Sequence, residues 1–184
     1  MSVFKSKCIV LKVERIKATD MLYTLFSHDF WVIKCSKKLT KQEKNLDIGY
    51  LINCEIHGRE SRSIHSIRNI HIIHEFRWEA SNFSTTMGYL ELVNQVLRHA
   101  PSGMQVFHVY DLFEAVLQMK HINEEKLLLA RLKLLQIFWV LPDHHIHPTI
   151  QKILKFIHEN TSKKVLLLTG ISDEIEIKLK QIMS

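Results

Sequence analysis

The sequence predicts an α+β protein, with a small five-stranded β-barrel over residues 1–77 followed by an all-helical domain over residues 78–184. Three observations carry this expectation. The first 77 residues hold five short runs rich in β-branched and aromatic residues, each closed by charged or turn-forming residues. After Phe76 the apolar period lengthens from two to about 3.6, the repeat of a helix. The charge divides at the same place: residues 1–77 carry 14 Lys and Arg against 8 Asp and Glu, and residues 78–184 carry 11 against 11. The whole net charge of +6 therefore lies in the β-rich part, which points that part toward a polyanion.

The first strand is read at Cys8 to Val13, nearly all apolar as far as Leu11 and so suited to burial on both faces. Lys17 to Asp20 make the first connection. In the second strand, Met21 to Phe26, both alternating sets are apolar enough that the pattern leaves the buried face open. A turn at Ser27 to Phe30 leads to the third strand, Trp31 to Cys35. Here Trp31, Ile33 and Cys35 point one way, and Val32, Lys34 and Ser36 the other. The strand runs into a polar loop carrying Lys37, Lys38, Lys41 and Lys44. The fourth strand, Leu51 to His57, alternates Ile52, Cys54 and Ile56 inward against Asn53, Glu55 and His57 outward. Gly58 to Arg62 make a hairpin turn. The fifth strand, Ile64 to Ile73, sets His65, Ile67, Asn69 and His71 in one phase and Ile64, Ser66, Arg68, Ile70 and Ile72 in the other.

In the helical part, Ser84 is read as the N-cap of a first helix with Met87, Leu90, Val93, Val96 and Leu97 as its apolar stripe. A second helix spans Met104 to His121. Asn123 caps a third, whose leucine-rich run continues through Trp139 to Leu141 and leaves little polar face, as expected of a central helix. A fourth helix runs from Pro148 to Glu159, with proline in its first turn. The apolar run Val165 to Leu168 reads as an extended segment or as the packed approach to a last helix capped by Ser172, with acidic residues early and lysines late.

Composition excludes several classes. No apolar run reaches the 18 or so residues needed to cross a bilayer, and the first residues lack a signal-peptide core, so a cytoplasmic location is expected. Cys8, Cys35 and Cys54 lie in strands without a C-x-x-C pairing and read as core residues. The close histidines His144, His145 and His147 lack the spacing for tetrahedral coordination of one ion, so no metal is expected. There is no phosphate-binding glycine loop, nucleophile elbow or zinc-hydrolase signature, and neither an enzyme nor a cofactor is expected. The candidate binding residues are Lys34, Ser36, Lys37, Lys38, Lys41 and Lys44 along a phosphate track, with Arg59 and Arg62 at its rim. Trp31 or Tyr23 would supply base stacking.

The stretches KSKCIVLKV, DMLYTLF and WVIKCSKK, the basic loop after them, and LINCEIHGRESRSIHSIRNIHIIHEF with its closing Glu75-Phe76 pair together resemble the amino-terminal part of the bacterial recombination mediator RecO family. The resemblance covers about the first 77 residues and extends loosely into the helices. It departs from the family at the first connection and at the Ser27 to Phe30 turn, where glycines are missing, and no four-cysteine zinc module is present. The resemblance implies an OB-fold (oligonucleotide-binding) barrel and a non-enzymatic role in DNA repair and homologous recombination. That role comprises binding of single-stranded and duplex DNA, strand annealing, and recombinase loading. It also implies a RecR-like partner at the barrel and the acidic tail of a single-stranded-DNA-binding protein in a groove of the helical domain. Two other readings share the same residues: a helical adaptor whose lysines only solubilise it, and an RNA-binding barrel.

Overall fold

A computed structural model of the chain describes residues 2–29, 31–39, 45–58, 63–78, 81–100, 106–141 and 147–183. The chain divides into two compact units, Met1–Arg77 and Trp78–Ser184. The first is a five-stranded sheet and the second is helical. No helix among the described residues is long and apolar enough to cross a membrane.

The strands are β1 (Ser2–Arg15), β2 (Asp20–Ser27), β3 (Trp31–Lys38), β4 (Leu51–Gly58) and β5 (Ile64–His74). They pair in the order β1-β2-β3-β5-β4, and β4 pairs back with β1, so the sheet closes on itself. Every pairing is antiparallel except β3 with β5. The long β1 makes the closure possible, because its first half pairs with β4 and its second half with β2. At Leu11 the register against β2 skips a residue, a bulge that bends the strand between its two partners. Inside lie Cys8, Val10, Tyr23, Leu25, Cys35, Ile52, Cys54, Ile56 and Ile67. Ile9 and Leu11 are buried as well, so both faces of β1 are out of water there.

β1 runs from Ser2 to Arg15, well beyond the Cys8 to Val13 expected, and two further strands differ from the sequence expectation. β3 does not stop at Cys35 but runs to Lys38, so Lys37 and Lys38 belong to the strand rather than to a loop. Their register is fixed by β2, with Lys37 opposite Met21 and Lys38 opposite Asp20. β5 does not keep one phase. Ile67 is buried in the core, and Ile70 and Ile72 also pack against it. The change of phase is a bulge: Glu55 faces Arg68 while Asn53 faces His71, so Asn69 and Ile70 together oppose Cys54. Asn69 takes φ 49° there, a left-handed conformation that Asn tolerates. In the glycine-free turn between β2 and β3, Trp31 itself takes φ 68°.

The helices are α1 (Phe83–His99), α2 (Val106–Leu117), α3 (Glu124–Ile137), α4 (Pro148–Glu159), the single turn α5 (Ser162–Val165) and α6 (Asp173–Ile182). The cap of α1 is Asn82 rather than Ser84, its side chain accepting from Thr85 N at 2.8 Å. Its buried face is Tyr89, Leu92, Val93 and Val96, while Met87 and Leu97 of the expected stripe are exposed. The α2 helix is shorter than Met104 to His121; Met104 itself lies outside the described residues. The Val165 to Leu168 run begins in a helical turn, with Val165 and Leu166 buried and Leu167 exposed.

α3 is the hub, with α1, α2, α4 and α5 all packed on it. Asn123 caps it, accepting from Lys126 N at 3.0 Å. Gly88 of α1 permits the close approach to α3, since a Cβ there would meet Leu127 Cδ1 at 3.1 Å. The helix ends at Ile137, earlier than its apolar run suggests. Trp139 N bonds to Gln136 O and Val140 N to Leu135 O, with Trp139 at φ 57°, the paired bonds of a Schellman motif. Two lysines are buried in this apolar helix, and each ends on a backbone carbonyl of another segment. Lys126 Nζ donates to Leu168 O, and Lys133 Nζ to Ile157 O and Gln136 Oε1.

Candidate nucleic-acid interface

The parallel ladder between β3 and β5 is three pairs long, Lys34 with Ile64, Cys35 with His65 and Ser36 with Ser66. Where it ends the two strands separate, and a cleft of about 760 Å³ opens between them and the β1–β2 connection. Four cations line it from three elements: Lys17 from the connection, Lys37 and Lys38 from β3, and Arg68 from β5. One carboxylate, Asp20, shares the wall.

The backbone holds these groups together. Ile16 N and Lys17 N both donate to Asp20 O, at 2.9 and 3.3 Å, and Asp20 N returns a bond to Lys17 O, which makes a tight turn. Arg15 Nη2 latches that turn by donating to Ala18 O at 2.7 Å. Leu39 N donates to Thr19 O at 2.7 Å, tying the end of β3 to the same turn. Lys17 is thereby brought beside Lys37 and Lys38 although some twenty residues separate them. Lys17, Lys38 and Arg68 are exposed and have no ion-pair partner among the described residues. Asp20 Oδ1 is buried with no hydrogen-bond partner among them. Cations that are wetted, adjacent and uncompensated attract anions at the distance scale of the Debye length.

Of the residues expected from sequence, Ser36, Lys37 and Lys38 line the cleft, and the Ser36 hydroxyl donates to His65 O at 3.3 Å. Lys34 is exposed on the same face of β3 as Ser36 but does not line the cleft. Lys41, Lys44, Arg59 and Arg62 lie outside the described residues. Tyr23 is fully buried in the core and is not available to stack on a base, which corrects that expectation. Trp31 sits at the opposite end of β3 from Lys38, roughly 23 Å along the strand. Sequence reasoning missed Lys17 and Arg68. Lys17 was readable as a basic residue in the first connection, and Arg68 as a residue in phase with Ser66, though the bulge after it was not.

A second cavity, of about 750 Å³, lies in the helical unit between α2, α3 and the α4–α5 junction. Its wall mixes Asp111, Glu114 and Glu159 with Lys133 and Lys163, so it carries no single sign of charge. Among the described residues no three His, Cys, Asp or Glu side chains are grouped to hold a metal ion. His147 has a structural role, its Nδ1 accepting from Thr149 N at 3.3 Å as the N-cap of α4; His144 and His145 lie outside the described residues.

The Cys8 and Cys54 sulfurs are 3.8 Å apart inside the sheet. The hydrogen bond shared with Cys54, together with burial, pushes the Cys8 thiol up, and burial pushes Cys35 up to about 12. These thiols are core groups, not nucleophiles.

Compared with known proteins, the chain matches no family model and no curated sequence.

Proposed function

We propose that this chain is a non-enzymatic nucleic-acid-binding factor of the cytoplasm whose first unit is an OB-fold barrel. The observation that carries the reading is the convergence of Lys17, Lys37, Lys38 and Arg68 on one cleft from three separate elements. The five-strand order, with its parallel β3–β5 pair, supports the barrel reading. So does the place of the cleft, because such barrels bind with the face of strands two and three and with the first connecting loop. The resemblance of the first 77 residues to RecO-like mediators narrows the role to DNA repair by recombination. In that role the chain binds single-stranded and duplex DNA and anneals strands, with a RecR-like protein and the single-stranded-DNA-binding protein tail as partners.

The test is fluorescence anisotropy of a labelled single-stranded oligonucleotide over a series of salt concentrations, with the natural protein and a Lys17→Ala, Lys37→Ala, Lys38→Ala, Arg68→Ala variant. Each phosphate contact contributes about 0.7 to the slope of log affinity against log salt for single strands. The variant is expected to bind more weakly with a slope shallower by about 2 to 3. A natural protein that does not bind removes the reading and leaves the helical adaptor in its place, whereas a variant that binds with an unchanged slope removes the cleft as the binding site. Competition between DNA and RNA of one sequence separates the recombination role from RNA binding.

A further inference from the structure

We infer that the cleft reads the sugar-phosphate backbone alone and takes nucleic-acid strands without regard to their bases, including strands that have none. This inference rests on the nucleic-acid reading and specifies its ligand class. Surfaces that bind single strands through bases stack them mainly on aromatic platforms. Among the described residues the cleft has none: its apolar wall consists of Ile16 and Ile67, and Ile67 belongs to the core. The segments 40–44 and 59–62, which lie outside the described residues, contain no aromatic residue in sequence.

Among the described residues, the aromatic side chains of the first unit are spent elsewhere; Phe30 lies outside them. Tyr23, Phe26, Tyr50 and Phe76 are buried. Trp31 is at the far end of β3. Phe4 is 41% exposed, and it lies off the cleft wall, two strands across from Ile67 through Ile56. What the cleft does offer is charge and short hydrogen-bonding side chains, Ser66 and Asn69 among them. Those groups suit phosphate and sugar oxygens, which are the same at every nucleotide.

The experiment compares a labelled oligothymidylate with an abasic oligomer of equal length and equal phosphate number. Equal affinity within about twofold, and equal loss of both in the Lys17→Ala, Lys37→Ala, Lys38→Ala, Arg68→Ala variant, is the expected result. Stacking is worth at least about fivefold per base, so an abasic strand that binds five or more times weaker overturns the inference while leaving nucleic-acid binding intact. In that event Phe4→Ala and Trp31→Ala identify the platform. If neither strand binds, the nucleic-acid reading itself fails. Abasic binding that survives the fourfold substitution places the contact outside the cleft and also overturns the inference. Lys17→Gln with Lys38→Gln, at two exposed positions, repeats the test with little risk to folding.

Discussion

Asn69 Nδ2 donates to Glu55 Oε2 at 2.6 Å across the bulge where β5 changes phase, and the Asn69 backbone sits at φ 49°. The contact and the conformation occur at one residue but have separable energies. Glycine keeps the left-handed backbone and loses the exposed hydrogen bond, so Asn69→Gly is expected to change stability by less than about 0.5 kcal/mol. Asn69→Val places a β-branched residue in that conformation and is expected to cost about 2 kcal/mol or more. Urea unfolding of the three proteins checks the order, and a valine variant as stable as the glycine variant contradicts it.

This residue also shows how far the sequence could be read. Strand alternation was legible in β4, where Ile52, Cys54 and Ile56 are the inward set as expected. In β5 a strict period of two cannot put Ile67, Ile70 and Ile72 on one side, and the isoleucines alone do not say where the extra residue lies. The site divides the same way. Lys37 and Lys38 stood out because they adjoin each other in a basic run, whereas Lys17 and Arg68 join them only through the turn at Asp20 and the short β3–β5 ladder. Convergence of distant residues is a product of pairing register, which local pattern does not carry.

Trp139 occupies the position after α3 where glycine is usual, at φ 57° and 77% exposed. Its ring meets His158 edge-on with centroids 6.3 Å apart. A left-handed non-glycine residue costs about 1–2 kcal/mol, while an exposed edge contact returns less than that. Trp139→Gly is therefore expected to stabilise the helical unit by about 0.5–1 kcal/mol after the added freedom of glycine in the unfolded chain is counted. The check is a higher urea midpoint with an unchanged slope; a lower midpoint shows that the tryptophan contact outweighs the strain.

Lys133 is buried with its ammonium on Ile157 O, one of the last carbonyls of α4, which the helix itself leaves unpaired. Lys133→Met keeps the aliphatic stem and strands that carbonyl, for an expected loss of about 1 kcal/mol; Lys133→Ala loses packing too, about 2 kcal/mol in all. Burial also lowers the lysine's pKa in the folded protein. A cation with a lowered folded-state pKa binds fewer protons folded than unfolded in the window below the ordinary lysine value of about 10.4, so stability rises with pH there. The methionine variant is expected to lack that rise, and parallel urea titrations of the two proteins between neutral pH and that value measure the difference.

The three thiols are between 0% and 3% exposed, and those of Cys8 and Cys35 are pushed up. A thiol reagent therefore reaches them only when the sheet opens. Labelling of the native protein near neutral pH is expected to be slow, with all three cysteines reacting together and at a rate that climbs with urea as unfolding does. Rapid reaction of one cysteine alone would show that its strand opens independently of the closed sheet.

Asp20 sets one negative charge in the wall of a cleft that otherwise holds four cations, and its Oδ1 is buried without a hydrogen-bond partner among the described residues. Its backbone makes the turn that positions Lys17, and this function does not depend on the carboxylate. Asp20→Asn should therefore preserve the turn while removing repulsion toward a bound phosphate. One charge about 6 Å from a phosphate in a water-like dielectric is worth about 0.7 kcal/mol, close to threefold in affinity. The asparagine variant is expected to bind an oligonucleotide about threefold more tightly at low salt, and the advantage should shrink as salt screens the charge. Anisotropy titrations at low and at high salt decide it. An unchanged affinity at low salt would mean that the strand does not pass this wall, and binding would then have to be sought along Lys34 on the outer face of β3.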